Sequence, residues 1–86
     1  MHYIYILKSL KDRRHYIGCT SDLGKRLKSH NKGQVKSTTH RRPLKIIYKE
    51  TVKTFAEAHK RELEIKKMKG GIQFKRLLEY AGVAQW

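Results

Sequence analysis

The sequence predicts a small α+β domain in which a three-stranded antiparallel sheet is flanked by helices, in the order β-β-α-β-α-α. Two observations support this fold class. Short segments rich in aromatic and β-branched residues lie at residues 2–8, 15–19 and 44–50. Three longer segments with helical spacing follow the second and third of them. Residues 1–86 are expected to form a single domain, because no Pro- or Ser-rich linker divides the chain.

The first two strands are expected to pair as an antiparallel hairpin. The first strand has apolar residues at both its odd-numbered and its even-numbered positions, which is typical of a strand that is covered on both faces and central in its sheet. Because side chains alternate along a strand, Tyr3 and Tyr5 share one face of it. Tyr16 and Gly18 likewise share one face of the second strand. If these faces coincide, the tyrosines form one wall, and Gly18 leaves room beside them for a bulky ligand.

Residues 22–31 are predicted to form the first helix. A Thr-Ser-Asp segment supplies N-cap chemistry at its start, and Gly33 is placed to end it. Arg26 and His30 are four positions apart, so their side chains point in the same direction. The stretch 33–42 has no periodicity and is predicted to be a basic loop.

The third strand and the second helix complete the predicted core. Alternation along the strand places Leu44, Ile46 and Tyr48 on one side of the sheet. A capping box at Thr54 begins a helix that is predicted to run from Phe55 to about Met68.

An acidic residue falls among the core positions of this second helix. At 100° per residue, its apolar arc is predicted to contain Phe55, Ala58, Leu63 and Ile65. Glu62 lies inside that arc, where a carboxylate is costly unless it is paired or binds a cation. After a glycine pair, a last helix is expected to close the core with Ile72, Phe74, Leu77, Leu78 and Ala81.

Charge and cysteine content narrow the class of partner and the compartment. The chain has 21 Lys and Arg residues against 7 Asp and Glu, a formal net charge of +14. Solubility alone needs a net charge of about 2–8, so the excess predicts a nucleic-acid partner. No segment resembles a membrane span or a membrane-surface helix. The single cysteine, Cys19, excludes an intrachain disulfide and a Cys-based zinc cluster, which fits a reducing cytosol.

Each candidate residue also has a purely structural explanation when it is taken alone. Tyrosine is common in strands, and an imidazole such as that of His30 is favourable near the end of a helix. Glu62 is four positions before Lys66 and could form an ordinary surface ion pair. The whole set, in this order and at these spacings, is harder to explain structurally.

The combination resembles the GIY-YIG nuclease superfamily, specifically its small stand-alone members of the YhbQ/YazA type. Tyr3-Ile4-Tyr5 matches the first motif with Tyr in place of Gly, and Tyr16-Ile17-Gly18 matches the second without change. The stretch from Thr20 to Asn31 is similar to the first helix of the family, which carries an Arg and a following His or Tyr. Further similar segments are Arg41 to Leu44 and Glu57 to Lys67.

This resemblance implies a GIY-YIG-like fold and a set of catalytic roles. Glu62 would be the single protein ligand of a divalent metal, usually Mg²⁺ and alternatively Mn²⁺. Tyr16, with Tyr5, would orient or deprotonate the attacking water. Arg26 would hold the scissile phosphate, and His30 would assist proton transfer. Lys25, Lys36, Thr39, His40, Arg41 and Arg42 are candidate contacts to the nucleic-acid backbone, although a flexible basic loop would have the same composition.

The leading hypothesis is therefore a metal-dependent endonuclease that hydrolyses DNA phosphodiester bonds, structure-directed or weakly specific, in DNA repair or recombination. The substrate would be duplex, branched or single-stranded DNA rather than RNA, in the cytoplasm. The sequence leaves a protein partner or a homodimer open. The wider family usually has an Asn late in the domain, whereas the one Asn here is Asn31. The alternative is a nucleic-acid-binding module with weak or no catalysis.

Overall fold

A computed structural model of the chain describes residues 1–80, and these residues form the predicted α+β arrangement. The strands are β1 (His2–Ser9), β2 (His15–Thr20) and β3 (Leu44–Val52). The helices are α1 (Leu23–Asn31), α2 (Phe55–Met68) and α3 (Ile72–Tyr80), with a short 3-10 helix at Thr39–Arg41. The predicted order is confirmed. The 3-10 helix lies within the segment that was expected to be an irregular basic loop.

The three strands form one antiparallel sheet in the order β2-β1-β3. β1 is central, as its apolar residues at both odd-numbered and even-numbered positions predicted. Tyr5 lies opposite Gly18, and Leu7 lies opposite Tyr16. The tyrosine-bearing faces of β1 and β2 therefore coincide.

A β-bulge in β3 overturns one prediction about the faces of the sheet. Ile6 pairs with Tyr48, whereas the next residue, Leu7, pairs with Ile46. The extra residue, Ile47, shifts the alternation of side chains along the strand. Tyr48 therefore packs on the opposite side of the sheet from Ile46, contrary to the simple alternation.

Each face of the sheet is covered by a different set of helices. One face carries Tyr5, Leu7 and Leu44 against the apolar side chains of α1. The other face contributes the larger core, which is shared with α2 and α3 and contains Ile4, Ile6, Ile17, Ile47, Ala58, Ile65, Phe74 and Leu78. For the last helix, Phe74 and Leu78 close the core as predicted, Ile72 is exposed, and Ala81 lies outside the described residues.

α2 contacts the core through a narrower stripe than its apolar residues predicted. Ala58 and Ile65 are fully buried, whereas Phe55 and Leu63 are 59% and 45% exposed. The small side chain at Ala58 lets the helix approach the sheet along the line that joins it to Ile65, and Glu62 lies between them. Phe55, in the first turn, stacks on His59 at 5.9 Å instead of entering the core.

A side-chain amide joins α1 to the start of β3. Asn31 donates from Nδ2 to the carbonyl of Leu44 at 3.0 Å, and its Oδ1 accepts from the Leu44 amide at 2.8 Å. This two-bond clamp fixes the end of α1, which carries His30, against the sheet. Asn31 therefore has a structural role in this chain.

Replacing Asn31 with Ala should lower the free energy of unfolding by about 1–2 kcal/mol, because two hydrogen bonds are lost and both Leu44 groups lose their partner. Urea denaturation followed by circular dichroism measures the change. Gln34→Ala removes an exposed amide in the next segment and should change the stability by less than about 0.5 kcal/mol. Equal effects of the two substitutions would contradict the clamp.

None of the helices in residues 1–80 has both the length and the apolar composition that a bilayer span requires.

Candidate active site

Four of the predicted site residues meet beneath α1. β1 and β2 supply Tyr5 and Tyr16, and α1 supplies Arg26 and His30. The hydroxyl of Tyr5 lies 3.1 Å from His30 Nε2, and Arg26 Nε lies 3.3 Å from the same hydroxyl. The ring of Tyr16 packs edge-on against the imidazole, with centroids 4.9 Å apart. The helical spacing of Arg26 and His30 therefore places both side chains on the tyrosine face of the sheet.

His30 is fully buried, which excludes its interpretation as a surface residue at a helix end. Its Nδ1 lies 2.8 Å from the hydroxyl of Thr38, which is also fully buried. Both nitrogens of the ring are thus occupied. Because no part of the ring is accessible, His30 can affect a ligand only through the residues that contact it, such as Tyr5 and Tyr16.

One arrangement of hydrogens gives every donor of this cluster a partner. Arg26 can only donate, so the Tyr5 oxygen accepts from it, and the hydrogen of the Tyr5 hydroxyl has a partner when it is donated to His30 Nε2. His30 must then carry its proton on Nδ1 and donate to Thr38. The Thr38 hydroxyl is left to donate to the carbonyl of Val35, 3.4 Å away. The result is a continuous chain from the guanidinium to the backbone, in which each bond polarises the next.

Burial sets the protonation states along this chain. It raises the pKa of Tyr5 to about 12, even though the hydrogen bond from Arg26 acts in the opposite direction. Burial, together with the charge of Arg26, lowers the pKa of His30 to about 4. At neutral pH Tyr5 is therefore a neutral phenol and His30 a neutral imidazole. Neither group is prepared to act as a base by itself.

Tyr16 and Arg26 are the two members of the cluster that reach the surface. Both are partly exposed, and Arg26 interacts electrostatically with Tyr16 as well as with Tyr5. The bond with Tyr5 is the main reason that the pKa of Arg26 is raised. Since Nε is directed at Tyr5, the terminal nitrogens of the guanidinium remain for an anionic ligand.

Gly18 does not provide the ligand space that the sequence predicted. A Cβ atom at this position would lie 2.7 Å from the Tyr5 hydroxyl and 3.1 Å from the ring of Tyr16. The space above the glycine is therefore filled by the tyrosines themselves. Gly18 is required for the close packing of the phenols against β2, and a ligand must bind outside this layer.

Glu62 lies on the other side of β2. Its Oε2 lies 2.6 Å from Nζ of Lys66, and its carboxylate also interacts electrostatically with Cys19, whose side chain packs on the α2 face of the sheet. The Glu62 side chain is only 12% exposed, so this is not the ordinary surface ion pair considered from the sequence. Burial acts to raise the pKa of the carboxyl, but the hydrogen bonds from Lys66 and Cys19 hold it below its usual value. Glu62 is therefore ionised at neutral pH.

The tyrosine cluster on one face of the sheet and the group around Glu62 on the other face interact electrostatically across β2. The pKa of Lys66 is raised chiefly by its hydrogen bond to Glu62, and Tyr16 contributes in the same direction. The pKa of the Cys19 thiol is raised to about 11, chiefly by burial, and Arg26 acts in the opposite direction. β2 is an edge strand of the sheet. Tyr16 and Arg26 on one face and Glu62 on the other therefore lie at the same edge.

The donor set suits a metal that keeps most of its water. In the described part of the chain, no three His, Cys, Asp or Glu residues are grouped so that they could hold a metal ion. A single ionised carboxylate is enough for Mg²⁺, which commonly binds one or two carboxylates and takes its other ligands from water and substrate phosphates. Glu62 fits that role. Lys66 must share the carboxylate with the ion or move aside.

The predicted backbone contacts in the basic segment differ in their surroundings. Lys25, Lys36, His40 and Arg42 are exposed. Thr39 instead donates to the carbonyl of Gly33, and Arg41 is half-buried with its Nε 3.9 Å from Asp12. The exposed cations remain available to a polyanion, whereas Thr39 shapes the segment itself.

Two features of the site were missed from the sequence. Thr38 is one of two adjacent threonines, and nothing in the pattern distinguishes the buried one from Thr39. Arg61 donates from Nε and Nη2 to the Glu50 carboxylate at 2.8 and 2.9 Å, and Tyr48 donates to the same group. This network joins α2 to β3 beside Glu62. Tyr48 and Glu50 are two positions apart and share a face by alternation, but the bulge decides that this face is the one that meets α2.

Burial of a neutral His30 should make the stability of the protein depend on pH. Between pH 6.5 and about 4 the unfolded chain binds a proton at His30 that the folded chain does not, so stability falls as the pH falls. The full loss is about 3 kcal/mol. Urea denaturation of wild type and His30→Gln at several pH values measures it, since the contributions of the carboxylates cancel in the difference.

The exposed His40 provides the control, and His40→Gln should follow the wild-type pH dependence. The ring carbon shifts of His30 in the wild type, followed by NMR, give the pKa directly and do not depend on the stability of the variant. A His30 pKa near 6.5 would contradict the burial argument.

Comparison with known proteins links this geometry to a family. The GIY-YIG catalytic domain family matches residues 1–75. A UPF0213 protein of Staphylococcus saprophyticus is 50% identical over 66 residues, which cover 76% of this chain and 79% of the relative. A UPF0213 protein of Clostridium perfringens is 46% identical over 69 residues, covering 79% and 73%. The solution NMR structure of a UPF0213 protein of Bacillus halodurans superposes with a TM-score of 0.58 at 31% identity, covering 92% of this chain and 83% of the other.

Proposed function

Because the chain belongs to the GIY-YIG catalytic domain family, we propose that it is a metal-dependent endonuclease that hydrolyses phosphodiester bonds of DNA. The observation that supports this most is the chain of hydrogen bonds from Thr38 through His30 and Tyr5 to Arg26. A purely structural core would not need to hold a guanidinium in one orientation at the surface.

In this proposal Arg26 binds the scissile phosphate. The chain of hydrogen bonds fixes Nε, so the terminal nitrogens are presented in one plane, and a planar pair of donors suits two phosphate oxygens. Tyr5 and His30 act as positioning residues, because burial keeps both neutral and away from the substrate. This refines the sequence-based hypothesis, in which both took part in proton transfer.

Tyr16 is the phenol that can contact the attacking water. It is partly exposed, and the cations Arg26 and Lys66 both interact with it. Its hydroxyl can accept a hydrogen bond from the attacking water, and the two cations stabilise the negative charge that develops on the water oxygen as its proton passes to bulk solvent. Tyr16 therefore orients the water in this proposal.

Glu62 would hold Mg²⁺ or Mn²⁺ at the same edge of the sheet. When bound, the ion neutralises phosphate charge and acidifies nearby groups. Cys19 and Lys66 keep the carboxylate ionised and pointed along α2 before any ion arrives. The protein thus contributes a prepared anionic ligand, and the remaining ligands are water and phosphate oxygens.

The substrate class follows from charge. A net charge of +14 favours any nucleic-acid backbone. Contacts of basic side chains to that backbone carry no base sequence, so cleavage is expected to follow the structure of duplex, branched or single-stranded DNA more than its base sequence. A role in DNA repair or recombination in the cytoplasm is consistent with such a substrate.

A second candidate is a nucleic-acid-binding module with little or no turnover. The observation that favours it is that Tyr5 is held as a neutral phenol while the Glu62 carboxylate is already paired with Lys66. In that case binding would depend on salt, with log K falling by about 0.9 per phosphate contact for each tenfold rise in salt on duplex DNA. Divalent metal would make no difference.

Labelled branched, duplex and single-stranded DNA, each with Mg²⁺, Mn²⁺ or no metal, separate the two candidates. The nuclease predicts products that require metal and binding that falls with salt. The binding module predicts the same salt dependence without products. An absence of both products and salt-dependent binding would contradict the two proposals together.

A further inference from the structure

A cavity of about 730 Å³ lies away from the candidate active site. It is formed by the β1–β2 turn, the 3-10 helix, and the junction between α2 and α3. His15 lines it, and the ring of His15 packs against Phe74 on the α2 face of the sheet. The neighbouring Tyr16 packs against His30 on the opposite face. None of Tyr5, Tyr16, Arg26, His30 or Glu62 lines the cavity.

The wall of the cavity is strongly cationic. Arg14, Arg41, Lys69 and Lys75 come from four separate segments to line it, and no carboxylate does so. Burial lowers the pKa of Lys69, and repulsion from Arg41 and Arg14 adds to the effect. The cations therefore raise one another's energy in the absence of an anion. A bound anion would relieve that repulsion.

Two buried polar atoms of lining residues have no hydrogen-bond partner within the described residues. They are Arg41 Nε, with the Asp12 carboxylate 3.9 Å away, and His15 Nε2. Buried polar groups are nearly always satisfied, so each exception needs an explanation, such as a bound water or ion beside it. Ile72, the first residue of α3, and Gly71, which precedes it, line the same space and add the positive end of the helix dipole.

The floor of the cavity is apolar, which a site for a bare anion would not need. Phe74 and Leu78 are 6% and 7% exposed, and Ile72, at 62%, forms part of the rim. A ligand that satisfies both parts carries a phosphate at one end and a flat, largely apolar group at the other. The volume is within the range of about 300–1,000 Å³ that is usual for small-molecule sites.

We propose that this cavity binds a nucleotide, with its phosphate against Arg14, Lys69 and Lys75 and its base over the apolar floor. The shared chemistry fits a free nucleoside monophosphate or the unpaired, phosphorylated end of a DNA strand. The site is separate from Glu62 and Arg26 and does not depend on cleavage.

NMR titration of ¹⁵N-labelled protein with adenosine monophosphate, without divalent metal, tests the proposal. Arg14→Gln/Lys75→Gln should raise the Kd for the nucleotide by about tenfold, because two charge-assisted contacts are lost from exposed positions. Lys11→Gln/Arg76→Gln removes the same charge from the same turn and the same helix outside the cavity, and should change the Kd by less than about twofold. Equal effects of the two double variants would overturn the proposal.

The apolar floor is tested separately. Ile72→Ser should weaken adenosine monophosphate and leave inorganic phosphate unaffected, while Leu10→Ser, another exposed apolar residue, should change neither. Equal affinities of nucleotide and phosphate would overturn the role of the floor. Tighter binding of a 5′-phosphorylated oligonucleotide than of its hydroxyl-ended form identifies the strand end as the ligand, and no difference identifies the free nucleotide. Repeating the titration with Glu62→Gln keeps this result separate from any failure of cleavage.

Discussion

Replacing Glu62 with Gln should reduce metal-dependent cleavage of DNA by about 10³-fold or more, because the substitution removes the one anionic oxygen ligand proposed for the metal. The side chain keeps its size, so the fold should be retained. Single-turnover cleavage at saturating protein, measured over a series of Mg²⁺ concentrations, separates lost metal binding from lost chemistry. Thermal unfolding by circular dichroism checks that the variant is folded.

Glu64→Gln is the matched control for this substitution. Glu64 lies on the same helix, is 51% exposed and has its carboxylate 3.9 Å from the Arg61 guanidinium. It loses the same charge and should keep its cleavage rate within about twofold. If Glu62→Gln and Glu64→Gln cleave alike, Glu62 is not the metal ligand. Its burial would then be explained by the pair with Lys66 alone.

The position of Glu62 illustrates what could be predicted from periodicity. A 3.6-residue repeat placed the carboxylate on the core side of α2, and it is 12% exposed there. The same counting wrongly buried Phe55 and Leu63. Helical periodicity gives only the direction of each side chain around the helix axis. Which of those directions are buried depends on where the sheet packs against α2.

The residues of the tyrosine cluster could be predicted from the sequence, but their packing and hydrogen bonds could not. Alternation allowed two phenols to share one wall, and helical spacing pointed a guanidinium and an imidazole in one direction, while the family resemblance implied that all four meet. They could not show that Tyr5 fills the space over Gly18, or that Thr38 completes the chain of hydrogen bonds. Those facts depend on side-chain rotamers and on how a segment without periodicity folds back over α1.

Neither the bulge in β3 nor the cationic cavity could be predicted from the pattern of neighbouring residues in the sequence. An extra residue at Ile47 changes the face of Tyr48 only because β1 fixes the register on both sides of it. The cavity collects its cations from four segments, each of which looks like an ordinary basic surface in sequence. Contacts of this kind are determined by tertiary packing, so composition could predict the charge and not its location.

Replacing Arg26 with Lys should lower the rate of cleavage by about 10²–10³-fold while leaving the affinity for DNA nearly unchanged. Lys keeps the positive charge but lacks the planar pair of donors, and its compact ammonium cannot bond Tyr5 and hold a phosphate in the same geometry. The rate comes from single-turnover cleavage, and the affinity from fluorescence anisotropy across a salt series.

Lys28→Gln serves as the control, because it should lower the affinity for DNA and leave the rate of cleavage unchanged. Lys28 is exposed on the same helix, so its loss removes a charge without touching the tyrosine cluster. Its variant should bind DNA more weakly, with a salt slope smaller by up to about one phosphate contact, and should cleave bound DNA at the wild-type rate. If Arg26→Lys also keeps the rate and loses only affinity, Arg26 contributes charge alone. The chain of hydrogen bonds behind it would then serve the stability of the fold rather than the geometry of a reaction.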